Sequence, residues 1–368
     1  MPLRSKPSWT LMFFGCLLLA GCDLFVSAEA RVDRAEQHVA EGDYRAAMIE
    51  LKNALQDQPD NVDARLLLSR VSLHMGDLEA AEKELERAVD AGASPEQVGT
   101  LRYELLVTQR RFADALTFLD ADTTTGKADK LYYTAIAELG AGNVAAAREA
   151  ASSLLASDPG SVRGHIQMAE VLAAERRLDD ALAEVGKALE LAPRDATALW
   201  TRGRLLLVAG RAEEAETSLV AATADPIALD ATTRAAALAA LSESHFAQQD
   251  LDAAAESIAA LERVAPGAPG TRLLKARMAL VQNRPSDAVA ELDPVVQALP
   301  EYVPAQLLMA TALISQGSTA RAETLLKRVI SRFPDNQQAR VLLARIRPDE
   351  ARDLLAPMST GESNPEVD

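Results

Sequence analysis

Small side chains recur along this chain at a fixed interval, and an apolar residue follows each of them one helical turn later. Ala47, Ala81 and Ala115 are 34 residues apart, as are Ala147, Ala181 and Ala215, and then Ala254, Ala288 and Ala322; the two gaps between these sets are 32 and 39 residues. The residue four positions on reads Leu51, Leu85, Leu119, Ala151, Val185, Leu219, Ile258, Leu292 and Leu326. A second position, twelve residues before each alanine, reads Ala35, Ser69, Tyr103, Ala135, Ala169, Gly203, Ser242, Ala276 and Ala310, small in eight of nine cases. Between the two small positions stand turn signals such as Gly42-Asp43, Gly76-Asp77 and Gly210-Arg211. Prolines close many of the units: Pro59, Pro159, Pro193, Pro266, Pro300 and Pro334. The pattern predicts a helix A, a tight turn and a helix B in every unit. Small residues at both crossing points let the two helices approach closely. A single such pair cannot bury its apolar face, so the units must stack.

These registers match the tetratricopeptide repeat, a helix-turn-helix of 34 residues. The expected fold is all-α: a right-handed tetratricopeptide superhelix (an α-solenoid) of about nine repeats from Ala28 to Asn336, plus a C-terminal capping helix. Three irregular places break the pattern. Repeat three has Arg110-Arg111-Phe112 in place of the glycine turn, and Tyr103 at a small position. The linker from Asp120 to Lys127 is polar and two residues short, and five extra residues surround Asp225-Pro226-Ile227. They divide the repeats into blocks at 28–122, 123–227 and 228–336. Pro294 falls inside a predicted helix B and should bend it. A capping helix is expected over 337–356, its charged residues giving it a polar outer face. The acidic tail at 357–368 lacks apolar content and reads as disordered.

The beginning of the chain has a different character. Arg4 and Lys6 precede an apolar run from Leu11 to Ala20, followed by Gly21 and Cys22. This is the layout of a signal peptide over 1–21, and the apolar run is shorter than the roughly 20 residues a permanent span requires. Leu19-Ala20-Gly21-Cys22 resembles the bacterial lipobox. That resemblance implies lipidation of Cys22, a short tether at 22–27, and a chain anchored to a membrane and facing the periplasm. Asp23 resembles an inner-membrane retention signal; the inner leaflet of the outer membrane is the other location. At up to about 3.5 Å per residue, the first helix would lie within about 25 Å of the bilayer. The other cysteine, Cys16, leaves with the signal peptide, so the folded part carries no thiol.

The formal charge of -16, made more negative by removal of Arg4 and Lys6, argues against nucleic acid as a partner. No catalytic constellation emerges. The four histidines, His38, His74, His165 and His245, fall on helices A of different repeats and have no metal-site spacing. There is no glycine-rich phosphate loop. Neither cofactor nor metal is expected, and an enzyme with a hidden site is the reading to exclude.

What remains is the groove that helices A line in such stacks. The inward register reads Leu66-Arg70-Leu73, Tyr132-Ile136-Leu139, Trp200-Arg204-Leu207 and Leu273-Arg277-Leu280 in the even-numbered repeats. Aromatic and Arg residues are common anchors of binding surfaces, which makes Arg70, Tyr132, Trp200, Arg204 and Arg277 candidate partner contacts for an acidic or extended protein segment. The alternative is that the leucines pack on neighbouring helices and the arginines pair with acids of the repeats. A wording such as Gly42-Asp43-Tyr44-Arg45-Ala46-Ala47-Met48-Ile49-Glu50-Leu51, with Ala64-Arg65-Leu66-Leu67-Leu68 and Asp90-Ala91-Gly92-Ala93-Ser94-Pro95, is similar to the tetratricopeptide lipoprotein family of the PEP-CTERM/exosortase system. That resemblance implies a non-enzymatic scaffold in exopolysaccharide export or protein sorting, although this chain is much shorter than typical members. The alternative is an adaptor of another envelope machine: outer-membrane protein assembly, peptidoglycan synthesis or other polysaccharide secretion. The sequence leaves the oligomeric state open.

Overall fold

The computed structural model describes residues 26–351 and residue 354; the segment expected to be a signal peptide, the expected lipidation site Cys22 and the acidic tail lie outside them. The described residues form nineteen α-helices and no strand. Eighteen follow one another as nine pairs. The first five pairs are α1 (Ala28–Ala40) with α2 (Tyr44–Asp57), α3 (Val62–His74) with α4 (Leu78–Asp90), α5 (Pro95–Thr108) with α6 (Phe112–Ala121), α7 (Lys127–Gly140) with α8 (Val144–Ser157), and α9 (Val162–Ala174) with α10 (Leu178–Leu191). The last four are α11 (Ala196–Val208) and α12 (Ala212–Thr223), α13 (Ala231–Ala247) and α14 (Leu251–Val264), α15 (Pro269–Val281) and α16 (Pro285–Ala298), and α17 (Val303–Ser315) and α18 (Thr319–Arg332). A final helix, α19 (Gln337–Ile346), packs on α17 and α18. None of the described helices is long and apolar enough to cross a membrane.

The turn inside each pair explains why the helices stop where they do. Gly42 donates its N–H to the Val39 carbonyl at 3.0 Å and Asp43 donates to the His38 carbonyl at 2.8 Å. This closure satisfies two of the carbonyls a helix end leaves open, and it requires a left-handed residue just past the helix. The same two bonds recur at all nine turns, for example from Arg110 to Val107 and from Arg111 to Leu106. Five of the nine left-handed positions are glycine; the other four are Arg110, Arg176, Gln249 and Asn283, with φ between 56° and 62°. Each falls five residues before the helix B alanine, so the closure sets the conformation even where the residue disfavours it.

The next residue begins helix B. Asp43, Asp77 and Asp250 accept from backbone N–H groups three residues on, at 3.0–3.1 Å, so a single residue both closes one helix and caps the next. Where that residue is Arg, it pairs instead with an acid three positions later: Arg111 with Asp114, Arg177 with Asp180, Arg211 with Glu214 and Arg284 with Asp287. Those acids also suit the positive end of the helix.

All nine helix B alanines, Ala47 through Ala322, are fully buried, and the small helix A positions lie opposite them. At Gly203 a Cβ would stand 2.6 Å from Cγ of Leu219, so any side chain there would have to displace the leucine. Ser69 donates its hydroxyl to the Ala81 carbonyl at 2.7 Å. Tyr103, the one large residue in this register, is also buried; its hydroxyl donates to the Tyr133 carbonyl at 2.6 Å, and the two rings lie 4.0 Å apart. The phenol reaches across to the next repeat, which is how a bulky residue is accommodated.

The short linker before α7 is held by Asp122, whose carboxylate accepts from the Thr124 N–H at 2.8 Å, its hydroxyl at 2.6 Å, and the Thr125 N–H at 3.1 Å. These bonds hold its pKa well below the usual range. The helix α16 continues through Pro294 to Ala298. The last helix is shorter than the sequence suggests: α19 ends at Ile346, because Pro348 disfavours helix at the residue before it. Arg347 then pairs with Glu323, Asp349 and Glu350. By packing, the chain divides into two compact units, one running through Thr201 and including Ala224–Thr232, the other made of Arg202–Thr223 and the residues from Thr233 on. The core of the first runs in successive clusters from Ala28 and Val32 to Tyr133 and Ala137. That of the second includes Leu238 to Met278, and Ala276 to Leu343.

Candidate partner-binding surface

The five candidate contacts stand on four helices A. Arg70 is exposed on α3, in an open hollow lined also by Glu36, Asp63, Leu67 and Gln97. Tyr132 on α7 is half-buried, with the Arg163 guanidinium of the next repeat 4.7 Å from its ring centre. Arg163 is itself fixed by Asp129 at 2.7 Å. Burial raises the Tyr132 hydroxyl pKa, partly offset by Arg163, so it remains a neutral donor at physiological pH. Trp200 and Arg204 are half-buried on α11. Arg277 on α15 pairs with Glu243 and lies 4.3 Å over the Phe246 ring. Tyr132 and Arg277 are therefore held by adjoining repeats of their own units, while their apolar neighbours Leu73, Ile136, Leu139, Leu207, Leu273 and Leu280 stay only partly covered. Within each unit, half-covered apolar positions interleaved with cations can receive a chain segment, whereas Leu66 of the same register is buried in the core.

The histidines do not converge. His165 Nδ1 meets Glu184 at 2.7 Å and its Nε2 meets the Pro159 carbonyl at 3.0 Å. His245 contacts Ser257 at 3.3 Å and Glu216 at 3.6 Å, and His38 lies 3.8 Å from Glu41. Burial works against the Glu184 carboxylate, yet Lys187 and His165 hold its pKa below the usual range. Among the described residues no group of His, Cys, Asp and Glu could hold a metal ion.

One recurring contact escapes a reading based on apolar positions. A basic residue near the start of helix A pairs with an acid nineteen residues later on helix B: Arg31 with Glu50 at 3.3 Å, Arg65 with Glu84 at 2.7 Å, His165 with Glu184, and Arg272 with Glu291 at 3.1 Å. Each acid stands three residues after the helix B alanine, a signal present in the register. Arg65 and Glu84 are about nine-tenths covered, which makes this pair a structural clamp and removes it from the surface.

Comparisons with known proteins agree with this architecture. One tetratricopeptide-repeat family model matches residues 38–104 and 279–346, and a second matches 166–231 and 234–302. The chain belongs to the tetratricopeptide-repeat proteins. No curated protein sequence matches it. Among solved structures it is similar to PilW, described as a widely conserved type IV pilus biogenesis factor, with TM-score 0.54, 18% identity, and coverage of 60% of this chain and 99% of that one. It is similar to Pseudomonas aeruginosa pilF, with TM-score 0.53, 21% identity, and coverage of 60% and 97%. A third is the APC/C hetero-tetramer Cut9-Hcn1, with TM-score 0.64, 11% identity, and coverage of 89% and 71%. At these identities the likeness is one of fold.

Proposed function

We propose that the chain is a non-enzymatic scaffold of the cell envelope, anchored through Cys22, that holds protein partners along its helix A surface. The observation that carries this reading is the half-covered apolar and cationic register of α3, α7, α11 and α15, on a fold whose members bind by surface and not by reaction. Arg70, Tyr132, Trp200, Arg204 and Arg277 are the proposed contacts. The lipobox and the wording of the first repeat support a place in exopolysaccharide export or PEP-CTERM protein sorting.

The test is crosslinking and capture from membranes with the lipid anchor intact. The chain should bring down a defined envelope complex, and Arg70→Ala, Arg204→Ala and Arg277→Ala together should lose it. Capture unchanged by the triple substitution would remove these arginines from the interface. Cys22→Ala should release the chain to the soluble fraction; a variant that stays membrane-bound would remove the anchor.

A second reading is an adaptor of a different envelope machine. The likeness of fold to PilW, a type IV pilus biogenesis factor, adds pilus assembly to outer-membrane assembly, peptidoglycan synthesis and other polysaccharide secretion. The proteins captured separate the two readings: glycosyltransferase and exosortase components favour the first, pilus or outer-membrane assembly components the second.

A further inference from the structure

The ninth repeat departs from the other eight in charge. The residue before the helix B alanine is alanine or an acid in the first eight, from Ala46 to Asp287, and Arg321 in the ninth. It stands third in α18, near the positive end of the helix, where an acid is favoured and a cation is not. Arg328 follows about two turns later on the same helix. Both arginines are exposed, and neither side chain has a hydrogen-bond or ion-pair partner among the described residues. The acids of these helices are engaged elsewhere: Glu323 by Lys327 and Arg347, Glu301 by Arg332, and Asp293 by the Gln297 amide, which donates at 2.7 Å.

Arg321 and Arg328 line an open hollow of about 440 Å³ among α16, α17 and α18. Its apolar lining is Val296, Met309, Leu313 and Leu325, and Asp293 is the single acid among the described lining residues. Met309, Leu313 and Leu325 belong to the last core cluster, and Val296 and Leu354 pack against it. The chain therefore passes this cluster at Leu354 and continues into a stretch of opposite charge. Residues 355–368 contain Glu362, Glu366 and Asp368 and no cation, and Val367 lies between two of those acids. Val367 is thirteen residues beyond Leu354, a reach of up to about 45 Å.

We propose that this hollow is a docking surface for the chain's own acidic C-terminal segment, with Val367 on the apolar lining and Glu366 and Asp368 meeting Arg321 and Arg328. Two observations select this occupant. Its charge complements two arginines that have no partner, and it is joined to the same repeat within reach of them. Tethering gives an effective concentration of millimolar order, so a contact with a dissociation constant of about 1 mM covers the hollow about half the time. The inference does not depend on partner binding by the helix A surface.

The test places a photo-crosslinking residue at Asn364 in the full chain, at low protein concentration. Adducts within one chain to α16, α17 or α18 are expected. Arg321→Glu with Arg328→Glu should reduce them at least tenfold, and so should Glu366→Lys with Asp368→Lys. The four substitutions together should restore them, an outcome that a purely structural role for the arginines does not produce. Because both arginines are exposed, helix content by circular dichroism should be the same in every variant. Absence of adducts, adducts only to other helices, a yield indifferent to the arginine substitutions, or no restoration in a folded charge-swapped chain would each overturn the proposal. Adducts formed only between two chains would also overturn it, and would assign the hollow to the tail of a second copy.

Discussion

At the scale of single residues, backbone closure decides more than side-chain preference. Arg110, Arg176, Gln249 and Asn283 occupy left-handed positions that cost a side chain roughly 1–2 kcal/mol. Arg176→Gly should therefore raise stability by about 1 kcal/mol, read as a higher urea midpoint with an unchanged slope; a lower midpoint would show that the Arg176 side chain contributes more than its conformation costs. Glu84 accepts from both Arg65 and Arg87 at 2.7 Å. Glu84→Ala should cost about 1.5–3 kcal/mol, the range for charged hydrogen bonds, while Glu79→Ala on the exposed face should cost little. His74 titrates below its usual value because burial disfavours its charge. The unfolded chain then binds more protons than the folded one, so stability should fall as pH drops through about 6.5 and below. His74→Asn should flatten that part of the pH profile of the first unit; an identical slope in both chains would contradict it. The five glycine turns could be read directly, whereas the four non-glycine turns were visible only through their fixed distance from the alanines.

Helices and their crossings obey the small-residue rule most strictly at Gly203, where Leu219 fills the space a methyl would need. Gly203→Ala should cost about 1–3 kcal/mol by overpacking, and Leu219→Ala in the same chain should recover part of it. Additive losses would show the two positions are not coupled. The repeat pattern made the helices, their order and their buried crossings legible, since each depends on spacing alone. Tyr103 read as a misfit because its solution lies outside its own unit, in the Tyr133 carbonyl and ring of the following repeat. The capping helix expected over 337–356 stops at Ile346, because Pro348 disfavours helix at Arg347. The candidate contacts were legible as a register, with two readings for the arginines; Arg277 follows the second, held by Glu243 one 34-residue period earlier and by the Phe246 ring.

For the whole molecule, the repeat register explains why function must be sought on a surface. In a stack each unit relies on its neighbours, so a defect at one crossing should be felt beyond its own helix. Ala181→Trp should speed hydrogen exchange in α9 and α10 and also in α7 and α8; a change confined to α10 would contradict this. The segment at 224–232 was legible only as an insertion, because contacts with Gly42 and Gly76, far away in sequence, follow from the way the chain returns and not from local pattern. If the chain holds protein partners, helix A positions should be the ones that touch them. The measurement places a photo-crosslinking residue singly at Leu73, Leu207 and Leu280 on helices A and, for comparison, at the exposed helix B positions Ile49 and Val220, in the full chain. Adducts to a partner from the first three and none from the last two are predicted; adducts only from the helix B positions, or none at all, would contradict it.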